Sequence, residues 1–203
     1  MLKKIVAIGP ESTGKSSLCR ELAEYYNGLW CPEYAREYLT VHGMNYTYED
    51  LLTIAKGQVE LEEKYEKDVR GQDLKVKSQP DSLTTDNSRL TAHSPLTAHH
   101  SLLFVDTDMY VMKVWCEFVF GKCHQFIVDQ IGKRKYDLYL LCGIDLPWAY
   151  DELREYPDPG PRQQLYEIYE NIMQNQSTPW VEISGNYDQR VQKAINAVDS
   201  LKE

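Results

Sequence analysis

The sequence predicts an α/β fold: a parallel sheet of about five strands with helices on both faces. Three observations predict it. Short, continuously apolar runs such as Ile5–Ile8 and Leu102–Val105 suit strands buried on both faces. Stretches with apolar residues spaced three and four apart alternate with those runs. Glycine-containing breaks at Gly9–Gly14, Asn27-Gly28 and His42-Gly43 divide them.

The elements follow in order. Ile5–Ile8 is the first strand, Gly9–Gly14 a turn, and the helix from Lys15 carries Leu18, Leu22 and Tyr25/Tyr26 on one face. Asn27-Gly28 ends it, and Leu29–Cys31 reads as a short second strand. Pro32 keeps its predecessor out of the helical region, so a helix opens at Glu33 and runs to His42-Gly43. Tyr48 to about Val69 is a long amphipathic helix built on Leu51, Ile54/Ala55 and Val59.

Residues 71–101 differ from the rest. They are rich in Ser, Thr, Asp, Gln and His and repeat Leu-Thr-Ala-His at 90–93 and 96–99. Apolar side chains there are too sparse to offset chain ordering, so a polar, mobile surface insertion is expected, with His93, His99 and His100 as solvated side chains. Leu102–Asp106 resumes the sheet, and 107–120 and 124–132 read as helices. Tyr136–Cys142 is the next strand. Residues 147–161 form a charged loop with a short helical piece, and Pro161 suits the first residue of a further helix. Trp180–Ile183 is the last strand, and Val191, Ile195, Val198 and Leu201 mark the last helix, 187–201.

The 203 residues suit one domain carrying this insertion, and 42% hydrophobic content is enough for one core. A net charge of −9 argues against a nucleic-acid backbone as partner. It does not oppose phosphate binding by backbone N–H groups. Five cysteines, with no CxxC pair, read as reduced thiols. The first apolar run stops at Gly9, and no run is long enough to cross a membrane. A soluble, cytoplasmic protein is expected.

Gly9-Pro-Glu-Ser-Thr-Gly14-Lys15-Ser16 satisfies the Walker A spacing between a buried strand and an amphipathic helix. That context predicts the three-layer sandwich of the P-loop NTPases, with ATP phosphates held by Gly9, Glu11, Ser12, Thr13, Gly14, Lys15, Ser16 and Ser17. Lys15 reaches the β- and γ-phosphates, and the Ser16 hydroxyl ligates Mg²⁺. Asp106, closing an apolar strand, is the second metal-linked residue. Asp108 either shares that role and reaches substrate or caps the following helix.

An acceptor approaches beyond the carboxyl ends of the strands. Glu33 follows the second strand, and Arg36 lies one helical turn later, so the two are candidates for the acceptor pocket. Arg154 and Arg162 flank a Pro- and Asp-rich loop that reads as a lid, with Asp151 one turn before Arg154. After the last strand, Gly185 allows close approach of the adenine, Tyr187 or Arg190 can pack on it, and Asn186 or Ser184 can cap the last helix.

Taken in order, Gly9-x-Glu11-Ser-x-Gly-Lys-Ser, Glu33-Tyr-x-Arg36-x-Tyr38, Phe104-x-Asp106-Thr-Asp108, Trp148-x-x-Asp151-x-x-Arg154 and Tyr187-x-x-Arg190 resemble the NadR-like P-loop kinases, relatives of the AAA-type ATPases. The resemblance covers the chain except residues 71–101. It implies ATP- and Mg²⁺-dependent phosphorylation of nicotinamide riboside to the mononucleotide, a step of NAD salvage. Lys15, Glu33, Asp106 and Arg154 would be catalytic and Arg162 part of the lid. Some members carry Trp directly before Glu-Tyr to stack on the nicotinamide ring. Here that place is Pro32, so Trp30 and Tyr34 are the aromatic candidates beside the acceptor. NadR proteins also carry an adenylyltransferase domain ahead of the kinase. With the P-loop at residue 9, that activity is expected to be absent.

Two other readings stay open. One is a kinase of another nucleoside or small metabolite. The other is a regulatory P-loop ATPase with no acceptor, using the insertion to hold a partner. The partners expected are ATP and a small acceptor, with neither nucleic acid nor membrane. The oligomeric state is left open, a homo-oligomer included.

Overall fold

β1 (Lys3–Ile8) occupies the centre of a five-stranded parallel sheet in the order β2-β3-β1-β4-β5. The other strands are β2 (Leu29–Cys31), β3 (Leu102–Val105), β4 (Leu138–Cys142) and β5 (Trp180–Ile183). The computed structural model describes residues 2–77 and 102–201. Its register pairs Ile5 with Phe104 on one side and with Leu138 on the other. Four residues of β1, all of β3 and all of β4 are buried, as expected of strands covered on both faces.

Alternation along the strands divides the core in two. Ile5, Ala7, Phe104 and Leu140 face α1 (Lys15–Tyr26) and α7 (Tyr187–Asp199), where they meet Leu18, Leu22, Ala194 and Val198. Val6, Ile8, Val105 and Leu141 face α4 (Met109–Phe120) and α6 (Pro159–Asn175), where they meet Val111, Val114, Leu165 and Met173. Each such Leu, Ile or Val contributes about 1.5–3 kcal/mol by leaving water. A third cluster joins α2 (Tyr34–His42), α3 (Tyr48–Lys77), α4 and α5 (Gln125–Lys133) through Leu51, Ile54, Met112 and Ile127. Gly57 on α3 is a notch for Tyr34: a β-carbon there would sit 2.1 Å from the Tyr34 ring.

Three expectations need correction. α3 passes Gly71 and runs to Lys77, because one glycine inside a helix costs only about 1 kcal/mol. The rest of the expected insertion, including both Leu-Thr-Ala-His repeats, lies outside the described residues. The 147–158 stretch contains no helical piece. Asp151 instead organises a turn, accepting the Leu153 N–H on Oδ1 at 3.0 Å. α6 begins at Pro159 rather than Pro161, behind the N-cap Asp158. Both prolines fall where backbone N–H groups have no intrahelical partner.

Candidate active site

Every strand delivers a functional segment to the same edge of the sheet. The 9–14 loop follows β1, Glu33 follows β2, Asp106 follows β3, the 143–145 turn follows β4, and Ser184-Gly185 follows β5. This is the edge at which open α/β sheets bind ligands.

The phosphate loop is shaped by local backbone requirements. Gly9 has φ 137°, and a β-carbon there would lie 2.7 Å from the Cys142 carbonyl oxygen. Gly14 has φ 79° and sits at the N-cap of α1 without a side-chain cap, so the first N–H groups of the helix keep no side-chain acceptor there. Thr13 is buried and donates its hydroxyl to the Pro10 carbonyl at 2.8 Å. Lys15 folds back over the loop, its Nζ donating to the carbonyls of Gly9 at 3.0 Å and Pro10 at 2.7 Å. These are weak partners that an incoming phosphate can replace.

Glu33 and Asp106 are electrostatically joined beside Lys15. Burial pushes the Glu33 carboxyl up to about 7, with the Asp106 charge adding to the rise and Lys15 opposing it. Asp106 is also pushed up by burial, opposed by Lys15 and by a hydrogen bond from the Ser16 side chain. Asp106 Oδ1 is buried with no hydrogen-bond partner. A buried carboxylate oxygen without a donor, next to a hydroxyl at the phosphate loop, fits an oxygen-ligated divalent cation.

A cleft extends from the phosphate loop between α2, α4, α6 and the 151–156 loop. Its phosphate end is formed by residues 9–17, and Glu33, Arg36 and Arg154 line it next to them. Much of its remaining lining is apolar, with Val111, Val114, Trp115 and Phe118 from α4, Tyr156 from the loop, and Tyr169 from α6. The Phe118 and Tyr156 rings meet edge to face at 5.1 Å between centroids. None of these aromatic residues was a sequence candidate. Their signal was present, since α4 is apolar on nearly every side, but that reads as a buried helix.

The 149–155 segment, the stretch expected to be a lid, rests directly on the phosphate loop. Glu11 Oε2 accepts the Glu155 N–H at 2.8 Å, and burial pushes the Glu11 carboxyl up. Ser12 Oγ accepts the Ala149 N–H at 2.9 Å and Arg154 Nη1 at 3.2 Å. Arg36 Nη2 donates to Asp151 Oδ2 at 2.6 Å, so this arginine reaches across to the same segment. Glu33 and Arg36, one helical turn apart, form no ion pair with each other; Arg36 pairs with Asp151. Asp151 is shared, with Arg154 Nη2 at 3.9 Å.

Several sequence candidates lie elsewhere. Trp30 does not line the cleft; it packs against the cluster formed with α1 and α7, on the opposite face of the sheet. Tyr34 packs into the Gly57 notch on α3 and does not line the cleft either. Asp108 is the N-cap of α4. Its Oδ1 accepts the Tyr110 and Val111 N–H groups at 3.0 and 3.1 Å, and its Oδ2 accepts the Tyr139 hydroxyl at 2.8 Å. With both oxygens engaged and the residue buried, the capping alternative holds and the substrate contact does not.

The late arginines brace backbone. Arg162 is buried and donates to the carbonyls of Ser12 at 3.1 Å and Leu146 at 3.0 Å. Arg190 is buried and donates to the carbonyls of Thr13, Gly143 and Gly185 and to Asp145. It locks the ends of β4 and β5 onto the phosphate loop. Tyr187 is half exposed and donates to Glu21 Oε2 at 2.9 Å, away from the cleft lining. Asn186 provides the expected cap of α7, in a reciprocal capping box with Gln189.

The family described as "AAA domain" matches residues 4–190. The trifunctional NAD biosynthesis/regulator protein NadR of Salmonella typhimurium is 23% identical over 205 residues, and that of Escherichia coli is 22% identical. Each comparison covers 98% of this chain and 43% of the relative, so the chain spans less than half the length of these relatives. A crystal structure of NadR protein in complex with NR has a TM-score of 0.66 at 21% identity, covering 98% of this chain and 49% of that one. Thymidylate kinase from Ehrlichia chaffeensis has a TM-score of 0.60 at 11% identity, covering 97% and 98%. These likenesses establish the P-loop fold.

Proposed function

The chain belongs to the AAA domain family, which matches its residues 4–190, and on that premise we propose that it is an ATP-dependent kinase that converts nicotinamide riboside to nicotinamide mononucleotide. The observation that carries the reading is the junction of two half-sites. Glu33 and the buried Asp106 lie beside Lys15, where the phosphate loop meets an apolar, aromatic-lined cleft. The NadR proteins to which the chain is similar support the choice of acceptor.

In this reading the γ-phosphate of ATP sits in the 9–16 loop, with Lys15 leaving the Gly9 and Pro10 carbonyls to bind it. The acceptor lies in the cleft with its ring among Trp115, Phe118 and Tyr156 and its 5′-hydroxyl toward Glu33. Glu33, titrating near neutrality, accepts the hydroxyl proton as the oxygen attacks phosphorus. The new P–O bond forms while the bond to the β-phosphate oxygen breaks, and ADP leaves with the electron pair. Ser16 and Asp106 are the residues that would hold Mg²⁺, which when bound neutralises charge on the phosphates. Arg154, tied to Ser12 and to the lid, supplies positive charge beside the moving group.

The test is a coupled ADP-release assay of the purified chain with nicotinamide riboside and a panel of other nucleosides. Nicotinamide riboside should give the highest kcat/KM and the mononucleotide as product. No turnover with it, where ATP binds, would remove the proposal. A second reading, a kinase of another nucleoside, is favoured by one observation. The aromatic wall comes from α4 and the lid, while Trp30 faces away and residue 32 is proline. Preference for another nucleoside in the same panel identifies that case. Slow ATP hydrolysis indifferent to every acceptor identifies a regulatory ATPase.

A further inference from the structure

A hydrogen-bonded chain joins the aromatic wall to the phosphate loop, and no single element contains it. The Trp115 Nε1–H on α4 donates to the Tyr46 hydroxyl at 2.9 Å. That hydroxyl donates to Glu155 Oε2 at 2.7 Å. The Glu155 N–H donates to Glu11 Oε2 at 2.8 Å. Glu11, Trp115, Glu155 and Tyr156 all line the cleft, whereas Tyr46 does not. Tyr46 comes from the connection between α2 and α3. Its ring stands edge-on to Trp115 at 5.0 Å and to Phe120 at 6.2 Å between centroids.

We propose that Tyr46 is a positioning residue for the acceptor: its one hydroxyl orients the Trp115 indole in the cleft wall and, through Glu155, seats the lid on Glu11. An indole N–H can only donate, so the place of its acceptor fixes the ring about its own bonds. The Tyr46 proton is committed to a carboxylate, a short, charge-assisted bond, which leaves its oxygen lone pairs toward the indole. Glu155 is therefore held at two points, by its carboxylate at Tyr46 and by its N–H at Glu11. That double hold sets where the next residue, Tyr156, meets Phe118. The width of the aromatic slot thus depends on a residue that touches no ligand, and it suits the flat ring of a nucleoside-like acceptor. The inference rests on the kinase reading for the acceptor, but the lid seating does not.

The test uses the full chain with Tyr46→Phe, which keeps the ring contacts and deletes the hydroxyl. Without any ligand, amide hydrogen exchange over 151–156 should accelerate about tenfold, the scale of losing a hydrogen bond to a charged group. With nicotinamide riboside and ATP varied separately, the acceptor KM should rise about tenfold while the ATP KM stays within about twofold. Glu155→Ala should reproduce both effects. Glu155→Gln, which keeps an oxygen for the hydroxyl, should recover most of the acceptor KM. Unchanged exchange in Tyr46→Phe overturns the proposal, as do equal rises in both KM values or a Glu155→Gln as impaired as Glu155→Ala. If the wild-type chain phosphorylates no nucleoside, the kinase reading fails, and the exchange measurement alone decides the lid seating.

Discussion

Glu11 in the phosphate loop accepts the backbone N–H of Glu155 in the 151–156 loop at 2.8 Å, so two walls of the cleft share a hydrogen bond across 144 residues of chain. The loop that binds phosphate therefore also helps to shape the pocket opposite it.

Lys15→Ala removes the one side chain of the phosphate loop that can neutralise the β- and γ-phosphates. Its present partners are two backbone carbonyls, so little packing is lost. Turnover should fall by about 10²–10³ or more, with an unchanged circular dichroism spectrum. A variant that unfolds, or one that retains activity, contradicts the assignment.

Glu33 titrates near 7 because burial and the Asp106 charge disfavour its ionised form. Only the ionised carboxylate can take the acceptor proton. The kcat/KM for the acceptor should therefore fall as pH drops below about 7, with a limb that belongs to the Glu33–Asp106 pair. Glu33→Gln should lower turnover and flatten that limb while ATP still binds. An unaltered pH profile in the variant would place the base elsewhere.

Asp106 Oδ1 is buried without a donor, and Ser16 bonds the same carboxyl. Asp106→Ala should raise the Mg²⁺ concentration for half-maximal turnover by about tenfold or more. A chelator should abolish wild-type turnover reversibly. Equal Mg²⁺ dependence in the two proteins would reject Asp106 as the holder.

Asp108 is a structural cap, so its loss should show in stability rather than in substrate binding. Asp108→Ala removes the acceptor for two N–H groups and strands the buried Tyr139 hydroxyl. The cost should be about 2–4 kcal/mol by denaturant unfolding at neutral pH. Burial pushes the Asp108 carboxyl up from 3.8 to about 6 in the folded chain. A carboxyl raised on folding stabilises most below its unfolded value and loses that contribution as pH rises through the folded one. Wild-type stability should thus carry a term that declines between about pH 4 and 6 and is absent from the variant.

Phe118→Ala should raise the acceptor KM by about 10- to 100-fold, because it opens the aromatic slot against Tyr156. Trp30→Phe should leave that KM within about twofold, since Trp30 packs on the other face of the sheet. The reverse result would show that the acceptor does not occupy this cleft.

Much of the molecule was legible locally. The phosphate loop could be read because its requirements are local in the chain: a glycine at φ 137°, another at φ 79° before a helix, and a lysine and a serine at fixed spacing. The strands could be read because burial on both faces demands continuous apolar runs. Glu33 and Asp106 could be placed because strand ends in a parallel sheet share one edge. The Asn186 cap was a local pattern too.

Tertiary structure decided what depends on facing direction. Alternation along β2 sends Trp30 to the α1–α7 face and Cys31 to the other, and only the positions of α4 and α6 show which face borders the acceptor cleft. Arg36 and Glu33 are neighbours in sequence, yet Arg36 pairs with Asp151, 115 residues away, because the 149–155 segment passes next to it in the fold. From the sequence, Arg162 reads as a lid arginine and Arg190 as a residue beside the adenine. In the fold they are buried donors to backbone carbonyls that several loops bring to one place. A sequence by itself fixes spacing and the local conformations that spacing demands. Which buried polar group finds which partner is set only when distant segments meet, since each must satisfy its hydrogen bonds with whatever the packed chain puts beside it.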